Sequence, residues 1–95
     1  MSRTGDLVFN GGELLEDQAG AGAALTFTFA SEMDLIWVSA SGGVGRADPF
    51  GGTPTSTKGV YIASGAAVPC PVQATVVKVF ANAGTTISVW GFRFG

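Results

Sequence analysis

Alternation of apolar and polar residues is the feature that most restricts how this chain folds. Leu25, Phe27 and Phe29 alternate with threonines, and neighbouring side chains on a β-strand point to opposite faces. Further runs rich in β-branched and aromatic residues, which strands prefer, follow at 35–38, 60–62, 75–80 and 86–90. The best helical candidate, 13–18, is too short to be stable alone. The pattern predicts an all-β protein.

Turn-forming residues separate these runs. The chain has 15 glycines and 4 prolines among its 95 residues, and a short glycine-containing loop at 82–84 favours an antiparallel hairpin. Eight strands are predicted, near 5–9, 13–16, 25–30, 34–40, 59–63, 67–72, 74–81 and 85–93. Their spacing is typical of sandwiches and barrels. We therefore expect a jelly-roll-like antiparallel β-sandwich of about eight short strands.

The domain organisation follows from the length of 95 residues, which is enough for a single core. Residues 1–24 are expected to form an N-terminal arm with weak strands, and 25–95 the sandwich. The stretch 41–58 is rich in glycine, proline, serine and threonine. A structureless loop that long is uncommon in a compact domain, so we expect it to be mobile or ordered by another contact.

Composition excludes several kinds of chemistry. The chain has no histidine and one cysteine, Cys70. Histidine-assisted nucleophilic catalysis, histidine metal sites and intramolecular disulfides are therefore excluded, and Cys70 is predicted to be a small buried hydrophobe. The net charge of −2 argues against a nucleic-acid-binding surface. We expect no metal and no cofactor.

The remaining motifs favour ordinary structural roles. The glycine-rich stretch 42–46 lacks the Gly-Lys-Ser/Thr ending of a phosphate-binding loop. Glu13, Glu16 and Asp17 lack the ligand spacing of a calcium site, and they are interpreted as a solvated acidic patch rather than a glycosidase pair. The prediction is that the protein is not an enzyme, with a small carboxylate-based hydrolase as the least favoured alternative.

No segment indicates a membrane protein. The apolar runs are far shorter than the roughly 20 residues that a spanning helix needs, and the region before residue 25 has no apolar stretch of signal-peptide type. Because the sequence opens with Met1, we expect a complete small protein synthesised in the cytoplasm.

Several predicted strands are apolar on both faces. Leu35 and Trp37 point away from Ile36 and Val38, and a second apolar set follows near the C-terminus, at Trp90, Phe92 and Phe94. The outer face of a sandwich is normally in contact with water. Two explanations stay open, and both can hold: loops 10–24 and 41–58 cover the outer faces, or another copy of the chain covers them.

The C-terminal half shows a succession of short motifs. They are Gly-Val-Tyr-Ile at 59–62, Val-Pro-Cys-Pro-Val at 68–72 and Ile-Ser-Val-Trp-Gly at 87–91. Over residues 58–92 the chain resembles small bacteriophage virion proteins of the capsid decoration, or cement, type. The resemblance implies a non-catalytic β-sandwich that forms homotrimers, binds the major capsid protein and resides on the outer surface of the virion.

Two other functions remain as alternatives. One is a tail or head-fibre component of a phage. The other is a carbohydrate-binding module that stacks Trp37, Tyr61 or Trp90 on sugar rings. For the oligomer or capsid interface, the predicted contact residues are Trp37, Arg46, Phe50, Trp90, Phe92 and Phe94.

Overall fold

The computed structural model describes residues 9–70 and 73–94. The strands are β1 (Phe9–Leu14), β2 (Gln18–Ala19), β3 (Ala23–Met33), β4 (Leu35–Ser41), β5 (Gly45–Asp48), β6 (Val60–Ile62), β7 (Ala67–Cys70), β8 (Ala74–Ala81) and β9 (Thr86–Phe94). Within the described ranges there is no helix long and apolar enough to cross a membrane. The strand predicted near 5–9 lies almost entirely outside the described residues.

Two antiparallel sheets pack face to face. The first has the order β1-β9-β4-β7, with β2 also pairing with β9 beside β1. The second has the order β3-β8-β5-β6. Side chains from β1 and β2 bond to β3, so these three strands share one lateral edge of the sandwich. The opposite lateral edge consists of β6 and β7.

The pairing follows a jelly-roll scheme and confirms the predicted fold. Taken together, β1 and β2 form one interrupted first strand, which pairs with the last strand, β9. The next strand, β3, pairs with β8, the strand before the last. Going inward, β4 pairs with β7 and β5 with β6. One long antiparallel hairpin has thus wrapped into two sheets, as in a double Greek-key jelly roll.

The core lies between the sheets and obeys the predicted alternation. The first sheet contributes every second residue of its two central strands, and the second sheet does the same. The buried side chains include Ile36, Val38, Ile87 and Val89 from the first sheet and Phe27, Ile62, Val77 and Val79 from the second. Burial of this apolar area is the main stabilising contribution to the fold.

The segment 41–58 contains a strand that the sequence did not predict. Gly45–Asp48 forms β5, between β8 and β6. Its residues have low strand propensity, but small side chains are needed there: a Cβ on Gly45 would lie 3.1 Å from the Phe80 carbonyl oxygen and 3.2 Å from Ile87 Cδ1. Close packing, rather than propensity, selects the residues of this strand.

The N-terminal strand also differs from the prediction. Residues 10–12 were expected to separate two strands, yet Phe9–Leu14 is one strand with an irregular register between Phe9 and Gly12. Gly11 has a φ of +106°. A glycine with positive φ is typical of one class of β-bulge, so the glycine pair here marks a bulge inside a strand instead of a turn.

Candidate assembly interface

The outer face of the first sheet is apolar across four strands. Trp37 on β4 lies opposite Trp90 on β9, Leu14 on β1 pairs with Trp90, and Pro69 on β7 pairs with Trp37. A second row places Leu35 opposite Phe92. We call this surface the tryptophan face; its residues are Leu14, Leu35, Trp37, Pro69, Trp90 and Phe92. None of the six is fully buried, and Leu14 is 75% exposed.

The two tryptophans form the centre of this face. Their ring centroids are 6.3 Å apart and the ring planes differ by only 5°. Parallel, offset rings are a favourable arrangement for an aromatic pair, and directly opposed residues on neighbouring strands are close enough to interact. The pair therefore holds both indole rings in a fixed orientation on a sheet face.

The loops that the sequence offered as covers lie elsewhere. The described part of 10–24 extends the first sheet sideways through β1 and β2, and so widens the tryptophan face. Within 41–58, residues 45–48 form β5 of the second sheet. The Arg46 side chain donates to the carbonyl of Ser56 and to that of Gly59, which follows directly after the segment. Among the described residues, these two segments therefore do not cover the tryptophan face, whereas 41–58 lies against Arg46 on the outer side of the second sheet.

The outer face of the second sheet is more polar. Thr26 and Lys78 are cross-strand partners, and Lys78 also lies opposite Asp48. Tyr61 lies on this side of the sandwich, where the Arg46 guanidinium is 5.4 Å from its ring centroid. The three aromatic residues proposed for sugar stacking are thus divided: Trp37 and Trp90 share one face, and Tyr61 belongs to the other sheet.

Arg46 fixes the connection between β5 and β6. Its Nε donates to the Ser56 carbonyl (3.1 Å) and its Nη1 to the Gly59 carbonyl (3.0 Å). Because the Tyr61 ring also lies against this guanidinium, the Arg46 side chain contacts three separate positions of the chain. Pro54, within this connection, is fully buried. Most of residues 49–59 are thus attached to the second sheet rather than free.

We expect Arg46→Ala to loosen this connection. Bonds from a charged donor contribute up to about 1.5–3 kcal/mol each, and partial solvent exposure reduces the expected loss of unfolding free energy to roughly 1–2 kcal/mol. Hydrogen exchange measures the local effect: amides of 49–59 exchange faster, while those of β9 keep their protection. Arg46→Lys is the matched control, because it keeps the charge without the planar fork. Equal exchange in Arg46→Ala and wild type would contradict this role.

Phe50 projects from this same connection. Its side chain is 87% exposed, an unusual state for a phenylalanine. The Phe50 amide donates to Asp48 Oδ1 at 2.8 Å, which closes a local Asx turn, and Gly51 follows with a φ of +86°. The Phe50 ring therefore protrudes from a turn that is closed by Asp48 and followed by a glycine with a positive φ.

Asp34 joins the ends of three elements at one end of the sandwich. It lies between β3 and β4, and its carboxylate accepts from the Phe94 amide (2.8 Å) and from Gln73 Nε2 (3.0 Å). The bond from the Phe94 amide, then that from Gln73, and also the nearby positive charge of Arg93 lower the pKa of Asp34. Phe94 is thereby held at the end of β9, beside the tryptophan face.

This lowered pKa makes stability depend on pH in a defined direction. Because the folded pKa lies below the ordinary aspartate value of about 3.9, the stabilisation is complete above that value and is lost as the pH falls through the folded pKa. We expect the unfolding free energy, measured in urea, to fall between pH 5 and pH 2. Asp34→Asn should flatten this dependence, and Gln73→Ala should flatten it less. An unchanged slope in Asp34→Asn would contradict the assignment.

The residues weighed for catalysis or metal binding do not converge. Cys70 is buried, and desolvation, with a further effect of the Asp48 carboxylate, raises the pKa of its thiol; its prediction as a buried hydrophobe is confirmed. Glu13 accepts from the Ala30 amide at 2.9 Å, so it ties β1 to β3. Across residues 9–70 and 73–94, no three histidine, cysteine or acidic side chains form a group that could hold a metal ion.

The sequence predictions captured the centre of the tryptophan face and missed its borders. Trp37, Trp90 and Phe92 come together there, while Arg46 and Phe50 lie with the second sheet. Leu14 and Pro69 were not expected on this face. Two glycines hide the alternation of β1, and the prolines of the strand predicted at 67–72 obscure which of its residues share a face, so neither residue carried a clear signal.

Neither the family models nor the curated proteins nor the solved structures yielded a match to this chain.

Proposed function

We propose that this protein is a non-enzymatic structural component of a bacteriophage particle. In this proposal it is a capsid decoration protein that forms a homotrimer and binds the major capsid protein on the outer surface of the virion. The tryptophan face is the observation that carries the proposal. A solvent-facing sheet surface with two tryptophans, Phe92, Leu35 and Leu14 is costly for a lone monomer and is typical of a surface that is buried on assembly.

The fold and the resemblance support the same proposal. Jelly rolls are common among viral capsid domains, although a fold alone does not define a function. The motifs at 59–62, 68–72 and 87–91, which carry the resemblance to virion proteins, fall on or next to β6, β7 and β9. Two of these strands, β7 and β9, contribute to the tryptophan face.

The experiment asks whether the chain is part of a particle. Particles released by the source of this sequence are purified on a density gradient, and their proteins are identified and counted by mass spectrometry. We expect the chain to be present in a fixed ratio to the shell subunit, with antibody labelling over the head. Labelling confined to the tail or to fibres would assign it to those structures instead. Its presence only in the soluble fraction would overturn the proposal.

Carbohydrate binding is the second candidate, favoured by the paired tryptophans. Parallel indole rings on an open sheet face offer an apolar surface of the kind that sugar rings stack on, and jelly rolls also occur among lectins. A glycan array read by tryptophan fluorescence tests this function. Binding that Trp37→Ala abolishes would favour it over the structural proposal, whereas an array without any hit would exclude it for the glycans displayed.

A further inference from the structure

Part of the tryptophan face is a groove between β1 and β9. It has a volume of about 280 Å³ and is lined by Gly12, Glu13, Leu14, Trp90, Gly91 and Phe92. Gly12 lies opposite Phe92 and adds no side chain to the groove, and any Cβ there would collide with the Gly91 carbonyl oxygen. Leu14 forms one wall and remains mostly exposed.

The protruding Phe50 lies in the half of the second sheet that is farther from β1. It belongs to the connection between β5 and β6, and β6 is the last strand of the second sheet. The groove lies at β1, the first strand of the first sheet. The apolar ring thus belongs to the second sheet and the apolar groove to the first, so we take a contact between them to join two copies of the chain.

The charges of the two sides are complementary as well. The side with the groove has an acidic excess: four carboxylates, Glu13 on β1, Glu16 and Asp17 between β1 and β2, and Glu32 on β3, stand against one cation, Arg93, which bonds to Ser31. The side with Phe50 carries Arg46 and the exposed Lys58. The carboxylate of Asp48 also lies there and accepts from the Phe50 amide. Opposite potentials on facing surfaces orient partners and set their register.

We infer that copies of this chain associate head to tail, with Phe50 of one copy seated in the groove between β1 and β9 of the next. This inference rests on the proposed self-assembly and specifies its geometry. A contact between two different surfaces is heterologous, and repeating it around an axis closes a ring. A homotrimer would contain three such contacts.

The area of the contact explains why the tryptophans take part. One phenylalanine buries only about 150–250 Å², whereas a stable interface buries about 800 Å² on each partner. The groove shares Trp90 with the row that continues through Trp37 to Pro69. A neighbouring copy that inserts Phe50 therefore covers the adjoining tryptophans, and Phe50 is the anchor of a larger apolar contact.

Two substitutions separate the two halves of the contact. Phe50→Asp removes the inserted ring, and Leu14→Asp places a charge in the groove; both residues are mostly exposed, so the fold is retained. Light scattering after size exclusion measures the mass across a concentration series. We expect each variant to raise the dissociation concentration by at least about 30-fold. Val76→Ser, at an exposed position on the second sheet, is the control and keeps the wild-type mass.

Mixing the two variants tests the head-to-tail geometry itself. The Leu14→Asp chain has an intact Phe50, and the Phe50→Asp chain has an intact groove, so a 1:1 mixture contains one complete contact. We expect a two-chain species at concentrations at which each variant alone is monomeric, and we expect salt to weaken it. A mixture that stays monomeric beside an oligomeric wild type would overturn the inference.

The outcomes distinguish this inference from the proposed function. If wild type forms a trimer and Phe50→Asp leaves its mass unchanged, the head-to-tail contact is wrong and self-assembly stands. A wild type that is monomeric at every concentration overturns the contact between copies. The presence of the chain in purified particles is measured independently of both results.

Discussion

Replacing Gly91 by alanine is expected to destabilise the fold more than any single-methyl change on its surface. Gly91 is buried on the inner side of β9, and a Cβ there would lie 2.5 Å from Met33 Cγ and 3.0 Å from both Met33 Cβ and Sδ. Because the collision involves the whole length of the Met33 side chain, a rotation of its tip does not relieve it. Overpacking of this kind costs about 1–3 kcal/mol.

A double-mutant cycle attributes the effect to this contact. Met33 is fully buried, so Met33→Ala alone should cost about 2–5 kcal/mol through the cavity that it leaves. In the double variant the alanine at 91 occupies part of that cavity, and the loss should be smaller than the sum by about 1 kcal/mol or more. Urea unfolding measures all four proteins. Additive losses would show that the close packing of Gly91 on Met33 is not the cause.

A substitution on the outer side of the same strand is the matched control. Ser88 lies opposite Ser39 on the outer face of the first sheet, and Ser88→Ala should change the unfolding free energy by less than about 0.5 kcal/mol. A loss in this control as large as in Gly91→Ala would indicate a general sensitivity of β9 rather than a steric conflict with Met33.

The example of β9 shows why the fold was predictable. Ile87 and Val89 alternate with Ser88 and Trp90, and the structure buries the first pair and leaves the second on the outer face. Hydrophobic alternation is a local property, and a strand in a two-layer sandwich has only one face to bury. The long strands β3, β4, β8 and β9 were therefore found from their own residues.

The strands that were missed depend on neighbours that are distant in sequence. In β5, Gly45 is buried where β8 and Ile87 leave no room for a larger side chain, and Ala47 is buried on the same face. The two-residue strand β2 exists because Gln18 and Ala19 lie beside β9, and because the Gln18 side chain donates to the Thr26 carbonyl on β3. Neither requirement can be read from the local pattern.

The candidate site was partly predictable for the same reason. The outward orientation of Trp37 and Trp90 follows from alternation alone, but their direct opposition requires the pairing of β4 with β9. The exposure of Phe50 depends on a turn closed by Asp48. The sequence suggested that turn, since Asp-Pro favours turn initiation, without indicating that the following ring would face solvent.

Replacing Trp90 by serine is expected to abolish self-association while leaving the jelly roll folded. Trp90 belongs both to the tryptophan pair and to the groove, so a neighbouring copy that covers either would contact it. Tryptophans at the centre of an interface contribute at least about 2 kcal/mol, which corresponds to a dissociation concentration raised by roughly 30-fold or more.

The fold should tolerate this change because Trp90 lies outside the core. Loss of the stacking with Trp37 removes about 0.5–1.5 kcal/mol beyond the buried area, which a domain of ordinary stability withstands. Trp90→Phe is the conservative variant and should retain part of the association, and Val76→Ser on the opposite face should retain all of it. Light scattering gives the mass, and the emission of Trp37 reports independently whether its ring is covered.

The two readouts together decide what covers the tryptophan face. In the assembled wild type we expect blue-shifted tryptophan emission that moves to longer wavelength on dilution, as the rings become solvated. In Trp90→Ser we expect the mass of a single chain, Trp37 emission at long wavelength at every concentration, and a cooperative urea transition. A Trp90→Ser protein with the wild-type oligomeric mass would mean that the copies meet through the second sheet, and that the tryptophan face contacts a different partner.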